Sequence, residues 1–224
     1  MNFNDNEIDG KQKLIDFLFP NIIVNEEKSK EYDDMEKQKY ENFLRQKKLK
    51  RGLPLAYLDK TFDDFIPSDD KQKMFIQKIK EYCAGIKNHT VNTSLVFSGE
   101  YGTGKTLTSC ILCNELDGHF VRSSSLLNEL LQGRSFTNNE TTNDIIKRYG
   151  SYSFLVIDEI GRGTKNDNEV DLLFQVINER YENGLPTILV TNLSISDLCQ
   201  YFGNAFTDRL RTWKICNFNW KSNR

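Results

Sequence analysis

Eight consecutive residues, Gly99-Glu100-Tyr101-Gly102-Thr103-Gly104-Lys105-Thr106, constrain this chain more than any other feature. They fit G-x-x-x-x-G-K-[ST], a pattern that works where a strand feeds a tight loop that opens a helix. Residues 93–98 (TSLVFS) read as a buried strand and 105–116 as a helix, so that context is met. The glycines let the backbone turn its N–H groups inward on an anion, and the helix N-terminus adds partial positive charge. Lys105 then reaches the β- and γ-phosphates of a nucleoside triphosphate, and the Thr106 hydroxyl holds Mg²⁺. A chance glycine-rich turn is the competing reading, and the flanking strand and helix speak against it.

A metal at Thr106 needs a carboxylate. Asp158 ends the apolar run Phe154-Leu155-Val156-Ile157. It therefore emerges at the C-terminal tip of a second buried strand, the edge where such sheets bind ligands. Two adjacent carboxylates there, Asp158 and Glu159, are costly without a cation. Asp158 is assigned to Mg²⁺ and Glu159 to the water that attacks the γ-phosphate. Asn192 follows the strand Thr187–Thr191 in the same way and can hold that water or sense the γ-phosphate. The competing reading is a plain turn residue. Phe62 and Phe65 can pack near an adenine or belong to the core. Arg209 and Arg211 follow Asp208, and an arginine supplied by a neighbouring subunit raises hydrolysis by roughly 10³–10⁵.

Strands and helices alternate from residue 60 onward, which predicts a parallel, doubly wound sheet. Asp69 or Asp70 caps an expected helix over 71–86, with Met74, Phe75, Ile79, Tyr82 and Cys83 inward. Leu126, Leu127, Leu130 and Leu131 form a helical stripe, as do Leu172, Leu173, Val176 and Ile177 over 168–182. Residues 213–218 read as a last strand. The first fifty residues differ. Residues 7–19 carry an apolar stretch stopped by Pro20, and 26–50 are charge-rich, with Tyr32, Met35, Tyr40, Phe43 and Leu44 at roughly helical spacing. Such a thin stripe makes no core of its own. It either folds back on the main domain or docks a partner protein. Gly52 and Pro54 mark a linker.

With 30 Lys+Arg against 32 Asp+Glu, the net charge is −2, so any nucleic acid must be met by local patches. The five cysteines lack metal-ligand spacing and read as small buried apolar residues in a reducing compartment. No apolar run reaches the ~20 residues of a membrane helix, and the acidic N-terminus is unlike a secretion signal. The expected location is cytoplasmic, with no membrane partner.

FSGEYGTGKT at 97–106, CNEL at 113–116, LVIDEIG at 155–161, LVTN at 189–192, FGNAFTDRLR at 202–211 and the ending from Asn217 through Trp220 to Ser222 together resemble the DnaC-type helicase loaders, AAA+ ATPases close to the IstB-type transposition helpers. The likeness covers about residues 50–224. It implies an α/β AAA+ P-loop fold with a three-layer parallel sheet and no C-terminal lid, residues 51–224, after a small helical N-terminal segment, residues 1–50. It further implies ATP and Mg²⁺ as cofactors, with weak hydrolysis stimulated by partners. Arg209 matches a trans-acting arginine finger, and Arg224 an arginine that senses the nucleotide from the last segment. Residues 1–50 occupy the place that grips a replicative helicase. Arg162 and Lys165, after DEIG, lie where the family contacts single-stranded DNA, although the stretch 162–168 lacks the aromatic side chain a base would stack on. Self-association, or assembly on the helicase ring, is the expected setting.

Three functions stay open at this point. One is a loader that places a ring helicase on single-stranded DNA with ATP as its switch. The second is an ATP-binding helper of a DNA transposase, which would bind duplex. The third, a small-molecule kinase, lacks any acceptor-binding constellation.

Overall fold

The computed structural model describes residues 26–135, 139–163 and 165–221, with side chains from residue 34 onward. The expected apolar stretch at 7–19, and the residues Thr164, Ser222 and Arg224, lie outside the described residues. The chain divides into two units, one ending at Gln46 and the other beginning at Lys47.

In the first unit a helix, α1 (Glu26–Lys50), carries Met35, Tyr40 and Phe43 exposed and Leu44 half-buried. Its last turn, in the second unit, is basic through Lys47, Lys48 and Lys50, as suits the negative end of a helix dipole.

The second unit is a parallel five-stranded sheet in the order β2–β3–β4–β1–β5. The strands are β1 (Leu95–Gly99), β2 (His119–Arg122), β3 (Leu155–Ile160), β4 (Thr187–Thr191) and β5 (Lys214–Phe218). Strand residues alternate between two cores. Leu95, Phe97, Val156, Ile188 and Val190 face α2 (Asp70–Lys87) and α3 (Lys105–Glu115). Val96, Leu155, Ile157 and Leu189 face α4 (Ser123–Gln132), α5 (Thr142–Ser151), α6 (Asp167–Glu182), α7 (Ile195–Phe202) and α8 (Asn204–Leu210). Burial on both faces explains why β1, β3 and β4 read as continuous apolar runs.

The helix starts follow local chemistry. Asp69 caps α2 through the Gln72 N–H, and Thr141 and Asp144 form a reciprocal capping box on α5. One helical face differs from the expectation. Met74 is 63% exposed, and Gln72 and Ile76 take the inward positions with Ile79, Tyr82 and Cys83. The helix starts earlier than 71, and its buried stripe is phased on Gln72, whose side-chain oxygen accepts from the Ser68 N–H. Likewise Leu126 and Leu130 are buried, whereas Leu131 is 37% exposed. The five cysteines are free thiols, three of them buried. No helix among the described residues is long and apolar enough to cross a membrane.

At the interior of the α5–α6–β4 corner lies Arg180, a fully buried guanidinium. It donates to the carbonyls of Tyr149, Tyr152 and Pro186 and to the Thr187 hydroxyl, at 2.7–2.8 Å. Four oxygens replace the water it gives up, so it acts as a tie between elements.

Candidate functional site: a phosphate cradle at the strand tips

The strand order decides what can meet. β4 lies between β1 and β3, so the loop after β1, the carboxylates of β3 and Asn192 beyond β4 emerge at one edge of the sheet. They line a cleft of about 670 Å³ with Tyr57, Phe65 and Ile66.

The cradle is built by backbone. Gly99, Gly102 and Gly104 all adopt positive φ, at 145°, 75° and 95°. A Cβ on Gly99 would stand 2.4 Å from the Phe218 carbonyl oxygen, so that position accepts glycine for space as well as for conformation. Thr103 closes the turn by donating to the Glu100 carbonyl at 2.8 Å. Lys105 opens α3 and is buried, its ammonium donating to the carbonyls of Gly99 (2.7 Å) and Glu100 (2.6 Å). Burial lowers its pKa, and the nearby Asp158 opposes that shift.

The Thr106 hydroxyl donates to Asp158 Oδ2 at 3.0 Å, and the Glu159 N–H to Asp158 Oδ1 at 2.8 Å. Asp158 is only 4% exposed. Burial pushes its carboxyl above the usual carboxylate range, against the two hydrogen bonds that favour the anion. A hydroxyl and a desolvated carboxylate side by side form a hard oxygen pair, which suits Mg²⁺.

Glu159 is the conformational outlier of this cleft, His89 and Asp117 being the other non-glycine residues with positive φ among the described residues. It is a non-glycine residue with φ of 60°, at a register shift between Ile157 and Ile160, after which β3 pairs with β4 again through Ile160 and Thr191. The Ser123 hydroxyl donates to its carbonyl at 2.9 Å and holds the irregular turn. Sparsely populated backbone of this kind gathers where a side chain must be re-aimed. The Glu159 carboxylate takes the Arg162 guanidinium at 2.5 Å, and Arg162 also lines the cleft. Lys165 stands 3.5 Å from Asp167.

Asn192 is exposed at the cleft wall. Arg209, on α8, does not line this cleft. Its guanidinium donates to the Ala205 carbonyl at 2.8 Å and lies over the rings of Phe174 and Tyr181, at 5.2 and 5.3 Å. Arg211 is exposed and pairs with Asp208 at 3.1 Å. Phe65 is buried on the cleft wall, 3.3 Å from where a Cβ of Gly104 would stand. Phe62 does not line the cleft and lies beneath Lys80.

Two supports escape motif reading. The Trp220 indole N–H donates to the Thr103 carbonyl at 2.9 Å, and its ring packs on Phe75 (5.2 Å) and Phe218 (5.0 Å). The segment after β5 therefore holds the loop after β1. Asn114, on α3, donates to the carbonyls of Tyr57 (3.0 Å) and Lys60 (3.1 Å), fixing the wall opposite the cradle. Both residues stand in the segments that carry the resemblance, but their role depends on contacts far away in sequence.

The sequence pattern of a family described as IstB-like ATP binding protein matches residues 12–211. The replicative helicase loader DnaC of Escherichia coli (strain K12) is 27% identical over 184 residues, covering 77% of this chain and 72% of that protein. The ATP-binding protein of insertion sequence IS232 from Bacillus thuringiensis subsp. berliner is 32% identical over 127 residues, 52% of this chain and 49% of that protein. Among solved structures, that of a DnaC helicase loader superposes with a TM-score of 0.63 at 19% identity, over 73% of this chain and 99% of that one. That last likeness speaks to the fold alone.

Proposed function

The chain belongs to the IstB-like ATP-binding proteins, and from that premise we propose that it is an ATP-driven loader that delivers a replicative ring helicase onto single-stranded DNA. The observation that carries the reading is the breadth of the likeness to a helicase loader, 77% of this chain and 72% of that protein, over a cleft that holds the parts of an ATP switch.

Within that cleft the backbone of 99–106 and the Lys105 ammonium bind the phosphates of ATP. Thr106 and Asp158 would hold Mg²⁺, and the ion would supply neutralisation of phosphate charge there. Glu159 orients the attacking water and accepts its proton, and Asn192 positions that water against the γ-phosphate. Tyr57, Phe65 and Ile66 supply the apolar wall for the base. Arg209 acts on the site of a neighbouring subunit, and its absence from its own chain's cleft supports that assignment. Arg224 would sense the nucleotide from the chain's end. Arg162 and Lys165 provide cations for a DNA strand, and residues 1–50 engage the helicase, with Met35, Tyr40 and Phe43 as exposed anchors.

The test is to mix the full chain, ATP and Mg²⁺ with a replicative helicase and single-stranded DNA. A ternary complex that needs ATP supports loading. Absence of any helicase complex, with nucleotide still bound, removes it.

A second reading is favoured by the 32% identity to the insertion-sequence protein: an ATP-binding helper of a DNA transposase. It predicts duplex binding in preference to single strands, with affinity falling steeply as salt rises.

A further inference from the structure

A second concave site lies at the outer edge of the sheet along β2, with β3 and β4 between it and the loop after β1. Its volume is about 380 Å³, within the range of small-molecule sites, and it shares no lining residue with the ATP cleft. One wall is the chain just after α1. The Phe120 N–H donates to the Arg51 carbonyl at 2.8 Å, and a Cβ on Gly52 would stand 2.1 Å from the Phe120 carbonyl oxygen. That segment therefore lies tight against β2. Another side is aromatic: the half-buried rings of His119 and Tyr152 stack at 3.4 Å with an interplanar angle of 4°.

The charges around this pocket do not balance. Arg148 is spent on Glu129 at 2.8 Å and Glu140 at 3.0 Å, and Arg51 on Asp117 at 2.5 Å. Glu129 also accepts from the Tyr149 hydroxyl at 3.0 Å. Lys50 and Arg122 line the pocket too, both exposed, with neither a hydrogen bond nor an ion pair among the described residues. Two unspent cations beside a ring stack suit a ligand with two negative charges and a flat ring. A phosphate monoester carries about −1.5 to −2 at neutral pH, whereas each diester of a strand carries a single charge. We propose that this pocket binds a free nucleoside monophosphate, its phosphate met by Lys50 and Arg122 and its base by the His119–Tyr152 stack. The site is separate from the ATP switch and does not rest on it.

The chain has two histidines, and His89 lies outside this pocket, so imidazole NMR carries its own control. Arg122 stands opposite Asp158 in the β2–β3 register, so the full chain is first saturated with a non-hydrolysable ATP analogue and Mg²⁺. Adenosine monophosphate is then titrated in. Burial, and after it the guanidiniums of Arg51, Arg180 and Arg148, hold the His119 imidazole below its ordinary pKa. A bound dianion opposes those cations, so the nucleotide should shift the His119 signals and raise their titration midpoint while His89 stays put. K50A and R122A should each weaken the response roughly ten-fold, and K50R should keep it. His119 unmoved, or moved together with His89, overturns the proposal. Binding unchanged in both alanine variants overturns the role of the two cations. Inorganic phosphate that binds as tightly as the nucleotide overturns the role of the ring stack. A thymidine oligonucleotide that shifts His119 where the mononucleotide does not overturns the choice of a free nucleotide.

Discussion

The loop after β1 and the helix α1 are both proposed to carry recognition, but they are built in opposite ways. At the loop, the proposed ligand contacts are backbone N–H groups, one buried ammonium and one buried carboxylate, held by the loop's own carbonyls, by Thr106 and by Trp220. On α1, the candidate contacts are exposed side chains of a charged helix. The first kind of site is finished before its ligand arrives. The second would take its energy from a partner surface laid over Met35, Tyr40 and Phe43.

The sharpest way to break this contrast is at the chemistry itself. Glu159→Gln keeps the shape of the site and should lower ATP turnover by roughly 10²-fold or more while leaving nucleotide bound, measured by single-turnover hydrolysis beside equilibrium binding. Lys105→Ala removes the buried ammonium and should weaken ATP binding roughly 100-fold, the scale of one lost charged hydrogen-bonding group, read by calorimetry.

Further from the ligand the effects should shrink and become structural. Arg180→Met strips hydrogen bonds from two buried carbonyls and a half-buried one and should cost about 3 kcal/mol of stability, seen in denaturant melts. Trp220→Phe keeps the ring packing but loses the indole N–H, and should weaken ATP binding about five-fold, for roughly 1 kcal/mol. Asp158 gives a pH signature. Its folded carboxyl titrates above the ordinary value, so the stability it lends is full in acid and is lost as pH rises through that raised value. Asp158→Asn should therefore raise the melting temperature slightly at neutral pH, yet remove the Mg²⁺ dependence of ATP binding.

The smallest effect belongs to α1. Replacing Met35, Tyr40 and Phe43 with serine should leave nucleotide affinity unchanged and stability within about 0.5 kcal/mol per site, while helicase capture is lost. A loss of ATP binding in that variant would erase the distinction between the two regions.

Legibility in the sequence follows the same divide. The cradle could be read because its glycines, lysine and threonine are contiguous, and Asp158 because it ends an apolar strand. The three strands that matter most could be read because parallel strands are buried on both faces. The phase of α2 was missed at Met74, since Gln72 is turned inward by a hydrogen bond to Ser68 that no hydropathy pattern registers. Trp220 and Asn114 were invisible as supports, their partners lying 117 and 57 positions away. The pairing of Arg162 with Glu159 was hidden for a different reason: a left-handed residue and a glycine turn bring i and i+3 together outside any helix.

The contact between Trp220 and Thr103 has an optical consequence. The chain holds two tryptophans. Trp213 is buried in the opposite core, whereas Trp220 rests on the loop that would close on a triphosphate. Indole emission responds to its own hydrogen bond and to nearby charge, so the two fluorophores divide the signal into a silent background and a reporter. Trp213→Phe would leave a single intrinsic probe, letting stopped-flow mixing follow the arrival and departure of nucleotide without a label.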